Sequence, residues 1–245
     1  MNPKLVIDIG NTRTKLALFD GKTLVEVHFF EKLTLTQIRH YIKKYEVAYV
    51  MISTVRHLSD SIRKAIDEDE RYFLLTTEID LPFRIKYKSP QTLGLDRLAG
   101  VAGAWSCYPN QTSMVIDAGT CIKYDVITAE GNYLGGNIAP GVRMRLEAMH
   151  LLTSKLPQVE PYERYETMGT DTTSALQVGA CTGAIHEAEG FIREYKKMFG
   201  KLNILLTGGD THFFVNNLKT KIFAAPNLVL QGLSEILDYN VQKSC

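Results

Sequence analysis

The sequence predicts a mixed α/β fold built twice along one chain, and three observations predict it. First, a short apolar run, Leu5-Val6-Ile7, ends in Asp8 and a polar turn, and a second alternating run follows from Lys15 to Phe19. Second, the design recurs: Met114-Val115-Ile116 leads into Asp117-Ala118-Gly119-Thr120, with an alternating run from Ile122 to Ile127 after it. Third, the first copy continues as a three-strand meander and then helix, strand, helix, strand, which is the order of a mixed sheet covered by helices. The halves are expected at 1-111 and 112-245, with no linker and no low-complexity segment between them.

Each element has a local reason. Asp20-Gly21 is a hairpin signal, so Thr23 to Phe30 reads as a third strand. Leu35, Ile38 and Ile42 share one helical face over Thr34 to Tyr45, with Arg39, Lys43 and Lys44 around the other. Val47 to Ile52 is a compact strand, Ser59 to Asp67 a polar helix, and Tyr72 to Leu75 another strand. A polar loop holding Tyr87, Ser89, Pro90 and Gln91 comes before Gly94-Leu95-Asp96-Arg97. A helix rich in Ala and Gly then runs from Leu98 to Trp105, and its small residues let another element pack very close. In the second half, strands are expected near 113–117, 122–128 and 132–137. Gly135 to Gly141 reads as a glycine-rich turn after the third of them. An amphipathic helix, Val142 to Leu152, precedes a polar loop from Gln158 to Thr172. A long helical pattern covers Thr173 to Phe199. Asn203 to Leu206 is a strand ending in Thr207-Gly208-Gly209-Asp210. A helix, a short strand near Ile222 and a last helix from Gln231 to Tyr239 follow.

Composition narrows the function. At 245 residues, 45% hydrophobic and a formal net charge of +1, the chain has a real core and no bulk electrostatic attraction for nucleic acid or an anionic membrane. No apolar stretch reaches the roughly 18 residues of a membrane span, and no signal-peptide pattern precedes the first strand. Cys107, Cys121, Cys181 and Cys245 form no paired spacing, so reduced thiols in a cytoplasm are expected. The six histidines show no ligand spacing.

The chemistry sits in the turns. Asp8-Ile9-Gly10-Asn11-Thr12-Arg13-Thr14-Lys15 offers backbone N–H groups and hydroxyls to an anion, and Gly10 lets the main chain approach a phosphate. Asp8 repels phosphate directly, but it can hold Mg²⁺ or its waters. Both copies carry a lysine shortly into the second strand, Lys15 and Lys123. Two such hairpins suggest a duplicated domain with two phosphate-holding turns facing one cleft. This resembles the actin-like ATPase superfamily, which includes acetate and sugar kinases, actin and the heat-shock ATPases. The resemblance implies duplicated actin-like (ribonuclease H-like) domains, each a mixed five-stranded sheet flanked by helices.

The ordered set Asp-Ile-Gly-Asn-Thr, Gly-Leu-Asp-Arg, Asp-Ala-Gly-Thr, Gly-Gly-Asn-Ile-Ala-Pro-Gly and Thr-Gly-Gly-Asp covers nearly the whole chain. It is similar to type III pantothenate kinase. That resemblance implies ATP-dependent phosphorylation of pantothenate in coenzyme A synthesis, in a cytoplasmic homodimer with its substrate pocket at the subunit interface. It makes Asp96 the general base; as a residue type alone, Asp96 suits a helix N-terminus equally well. It implies pantothenate contacts from Tyr87, Gly94, Leu95, Asp96, Arg97 and Thr172, and ATP contacts from Asp8 to Lys15 and Thr120. Gly208-Gly209-Asp210 resembles the nucleotide-side turn of the superfamily; by residue type, Asp210 also suits a helix N-cap. Asp117 matches the aspartate that binds a monovalent cation, K⁺ or NH₄⁺, in many members. Here the chain departs from the family pattern, because Cys121-Ile122-Lys123 replaces small residues and another threonine. Lys123 is either a solvent-facing strand lysine or an ammonium that supplies part of the cation's charge. Two other readings share the fold: a transcription accessory factor, and a kinase for a sugar or another small acid. Retention of Asp8, Asn11, Thr12, Asp96, Asp117 and Thr120 argues against the accessory factor.

Overall fold

The computed structural model describes residues 3–10, 13–162 and 166–244. Contacts divide the chain into two compact units, Met1–Pro109 with Gly131–Tyr133 and Asn227–Cys245, and Asn110–Glu130 with Leu134–Pro226.

The first unit is built on β1 (Lys4–Ile9), β2 (Thr14–Asp20), β3 (Thr23–Phe30), β4 (Tyr49–Thr54) and β5 (Tyr72–Leu74), in the spatial order β3-β2-β1-β4-β5. β1, β2 and β3 form the antiparallel meander, and β4 and β5 add in parallel. Leu5, Val6 and Ile7 are fully buried, because β1 is covered on both faces. Leu5, Ile7, Leu16, Leu18, Val50 and Ile52 meet Ile38 and Ile42 of α1 (Leu35–Tyr45) and Ile62 and Ala65 of α2 (Asp60–Glu68). Thr34 caps α1 in a reciprocal capping box with Gln37.

The opposite face receives α8 (Leu228–Ser244) and α3 (Leu95–Cys107). Lys4 on that face pairs with Asp238 of α8, and burial pushes its ammonium below the usual lysine range although Asp238 pulls the other way. The expected close packing of the Ala/Gly helix has α8 as its partner: a Cβ on Gly103 would lie 2.3 Å from the Leu228 carbonyl oxygen, and one on Gly232 would lie 1.8 Å from that of Ala99. α3 also begins a turn earlier than its apolar pattern, at Leu95 after Gly94, so Asp96 and Arg97 stand in its first turn.

The second unit repeats the plan. β7 (Ser113–Ala118), β8 (Cys121–Ile127), β9 (Asn132–Pro140), β10 (Asn203–Thr207) and β11 (Phe223–Ala224) take the order β9-β8-β7-β10-β11, position for position that of the first sheet. A two-residue strand, β6 (Arg84–Ile85), pairs with Asn132 and Tyr133 at the start of β9 and makes that sheet six-stranded, one more than expected.

The glycine-rich turn expected at Gly135 to Gly141 is not a turn. Residues 135–140 continue β9, because a Cβ on Gly136 would fall 1.6 Å from the Tyr124 carbonyl oxygen; the glycine marks close strand approach. Met114, Ile116, Tyr124, Val126, Ile204 and Leu206 pack under α4 (Val142–Leu151), α5 (Thr172–Gln177), α6 (Gly183–Phe199) and α7 (Thr211–Asn217). The single long helix expected over Thr173–Phe199 is α5 and α6 joined by a π turn at Val178–Thr182. A partly buried network ties α4 and α6 to the sheet: Tyr124 Oη donates to Glu187 (3.1 Å), and Arg145 donates to Glu187 (2.8 Å) and to the Pro140 carbonyl (2.8 Å). Burial, with the Glu187 carboxylate beside it, drives the Tyr124 hydroxyl far above the usual tyrosine range. Among the described residues, no helix is long and apolar enough to cross a membrane.

Candidate active site

In the first unit, Asp8 stands near the end of β1, in register with Lys15 on β2 and Ser53 on β4. Paired positions share a face, so these three form one polar row across three strands. The turn is closed by Gly10 N, which donates to the Arg13 carbonyl at 3.1 Å. Ile9 is half-buried, Arg13 is exposed, and Thr14 is buried at the start of β2. Asn11 and Thr12 lie outside the described residues. Ser53 escaped the sequence reasoning. It is 1% exposed, and its Oγ has no hydrogen-bond partner among the described residues. A buried hydroxyl without a partner is costly, so a polar ligand or water beside Asp8 is its natural complement.

The same unit brings together Tyr87, Gly94, Leu95, Asp96 and Arg97. Gly94 is the residue before α3, and its missing Cβ leaves room for Asp96, since that atom would lie 2.7 Å from Asp96 Oδ1. Asp96 Oδ1 accepts a hydrogen bond from Arg97 N at 2.9 Å. The carboxylate is half-buried in the first turn, where the helix dipole favours its charge. Arg97 is buried at 6% exposure, and its guanidinium carbon lies 5.5 Å from the centroid of the Tyr87 ring. Tyr87 in turn stacks on buried Tyr133, 6.4 Å between centroids and 6° between planes. An aromatic pair thus backs a fixed cation beside a carboxylate, which suits a small anionic substrate that carries a hydroxyl.

The second unit carries the matching turn. Asp117 and Lys123 are direct cross-strand partners, as Asp8 and Lys15 are in the first hairpin. Lys123 Nζ lies 2.6 Å from Asp117 Oδ2. The turn at 118–120 is held from both sides. Gly141 N, at the start of α4, donates to the Thr120 carbonyl at 3.0 Å, and Asp210 N donates to the Ala118 carbonyl at 2.9 Å. Both flanking glycines are required: a Cβ on Gly141 would lie 2.1 Å from the Gly119 carbonyl oxygen, and one on Gly208 (φ +99°) 2.2 Å from that of Ala118. Gly141 therefore serves the turn by close packing, which a glycine-rich string does not reveal.

Thr120 itself is exposed. Asp210 precedes α7 without a side-chain cap, and its burial raises its carboxyl above the usual range. Thr172 is the exposed first residue of α5; the capping that its hydroxyl could have done is done by Asp171, which accepts from Ser174 N at 3.0 Å. Cys107, Cys121 and Cys181 are free thiols, and among the described residues no three His, Cys, Asp or Glu side chains converge on a metal position.

A five-strand order used twice, each copy with an Asp–Gly turn opposite a lysine, is the plan of the actin-like ATPase fold. Solved structures agree on the fold: a putative sugar kinase from Cytophaga hutchinsonii (TM-score 0.54, 13% identity, 97% of this chain and 100% of that one) and a Baf family transcriptional activator from Campylobacter jejuni (TM-score 0.58, 19% identity, 97% and 99%). The family model for type III pantothenate kinase matches residues 4–194. Proteins named type III pantothenate kinase are 38% identical in Flavobacterium johnsoniae (97% of this chain, 98% of the relative) and 41% identical in Phocaeicola vulgatus (96% and 98%). The chain belongs to the type III pantothenate kinase family.

Proposed function

We propose that this protein transfers the γ-phosphoryl group of ATP to the hydroxyl of pantothenate, giving 4′-phosphopantothenate, the first step of coenzyme A synthesis. Besides family membership, one observation carries the reading: Asp96 stands beside Arg97, whose guanidinium lies over Tyr87. A carboxylate within hydrogen-bond reach of a primary alcohol orients it and takes its proton as transfer proceeds. Arg97 meets the pantothenate carboxylate or the transferring phosphoryl, and Tyr87 fixes the guanidinium plane. Gly94 and Leu95 complete the substrate side of the turn, and Thr172 offers a further hydroxyl.

For the nucleotide, the reading assigns the 8–15 turn, including Asn11 and Thr12, and Thr120. Bound Mg²⁺ would neutralise charge on the phosphates. Asp8 and the unpartnered Ser53 hydroxyl fit its waters, since this ion is commonly held by one carboxylate and the nucleotide's own oxygens. Family membership alone supports the finer points that the protein is a cytoplasmic homodimer and that its pocket lies at the subunit interface.

The test is γ-phosphate transfer to pantothenate by the purified protein with Mg²⁺ in K⁺, NH₄⁺ and Na⁺ salts. Folded protein without turnover in any of them overturns the reading. Arg97→Lys is expected to raise KM for pantothenate by about tenfold or more, because an ammonium cannot make the forked contact of a guanidinium. An unchanged KM would remove Arg97 from the substrate side.

A further inference from the structure

Asp117 is the residue that family resemblance assigns to K⁺ or NH₄⁺, and in this chain it already has a cation. Lys123 is set directly opposite it by strand register, and its Nζ reaches Asp117 Oδ2 at 2.6 Å. Both side chains are mostly buried, at 16% and 20% exposure. The other carboxylate oxygen, Oδ1, occupies the space that the missing Cβ of Gly208 leaves open, since that Cβ would come to 2.6 Å from it. One oxygen thus already carries an ammonium at hydrogen-bond distance, so the Asp117 charge is matched within the chain and calls for no free monovalent ion. The site fits an ammonium ion attached to the chain, since a lysine head group is a compact, hydrogen-bonding point charge like NH₄⁺ itself.

We propose that Lys123 is a resident monovalent cation: its ammonium stands on Asp117 where other members bind K⁺ or NH₄⁺, so nucleotide binding here is independent of those ions. The proposal rests on the reading of the 117–120 turn as a phosphate-side element. A tethered charge is present at high effective concentration whatever the salt, whereas a free ion must be recruited from solution. The turn it serves is held by hydrogen bonds from Gly141 and Asp210, so the charge is added to a fixed backbone.

The experiment is calorimetric binding of a non-hydrolysable ATP analogue with Mg²⁺ in potassium, ammonium and choline chloride at equal ionic strength. Wild type and Lys123→Met are compared, with pantothenate phosphorylation measured in the same buffers. Wild-type affinity is expected to agree within about twofold across the salts, while Lys123→Met weakens about tenfold or more in choline and recovers in potassium or ammonium, as befits loss of a charge-assisted contact. Wild-type binding that is tenfold tighter in potassium than in choline overturns the proposal, as does a folded Lys123→Met variant that binds like wild type in choline. If the variant fails to fold, the wild-type salt series decides alone. Absence of pantothenate turnover with salt-independent binding would sink the assigned reaction and leave this inference standing.

Discussion

Asp96→Asn is expected to lower kcat for pantothenate phosphorylation by about a hundredfold or more, with KM for ATP close to wild type. Asparagine keeps the size of the side chain, and its oxygen can still accept from Arg97 N as Asp96 Oδ1 does at 2.9 Å. What it cannot do is accept the proton of the attacking alcohol. A competing role exists, because an acidic residue in the first turn of a helix stabilises that helix by about 0.5 kcal/mol through the dipole. The two roles separate in measurement. Steady-state kinetics report the base, while the thermal midpoint reports the helix. A loss of less than about fivefold in kcat, far below what general-base catalysis supplies, with a lowered midpoint would make Asp96 a helix residue only.

Gly232→Ala is expected to destabilise the protein by about 3 kcal/mol or more, against the direction set by helix propensity. Alanine in a helix interior ordinarily gains about 1 kcal/mol over glycine. Here the added methyl group would be placed 1.8 Å from the Ala99 carbonyl oxygen and 2.6 Å from Gly103 N, both backbone atoms of α3 that no rotamer change can move. The helices must separate, and their separation disturbs the first turn that carries Asp96 and Arg97. A fall in the urea midpoint, together with reduced kcat in the folded fraction, is the expected result. A variant as stable as wild type would show that the helices do not approach this closely.

The sequence carried the strands of the first meander: Thr23 to Phe30 is β3 residue for residue, and the apolar run Leu5 to Ile7 lies within β1, which is buried on both faces. It carried α1 to within one residue, because Leu35, Ile38 and Ile42 mark one apolar face; the capping box of Thr34 and Gln37 was a further local signal. It placed α3 a turn late, since Leu95-Asp96-Arg97 has no apolar periodicity of its own; contacts from outside the segment bury Arg97. Glycines misled at 135–141, where close approach to β8 and to the 118–120 turn takes the place of a reversal. β6 is too short to leave a pattern. In the site, family resemblance named both Tyr87 and Arg97, and their cation–π approach is a tertiary contact that sequence spacing does not show. Ser53 was invisible because its importance is a matter of register with Asp8, a property of two strands far apart in sequence.

The placement of α8 has a consequence for synthesis. The first unit's sheet is complete by Leu74, yet the helix that covers one of its faces is encoded in the last residues of the chain. A ribosome reads in one direction, so the face of β1 and β4 that α8 packs on stays without that helix until Leu228 and its successors emerge. The second unit has its last strand, β11, translated before that point. In order of synthesis the first sheet therefore gains cover on its second face only after the second unit's last strand has been made.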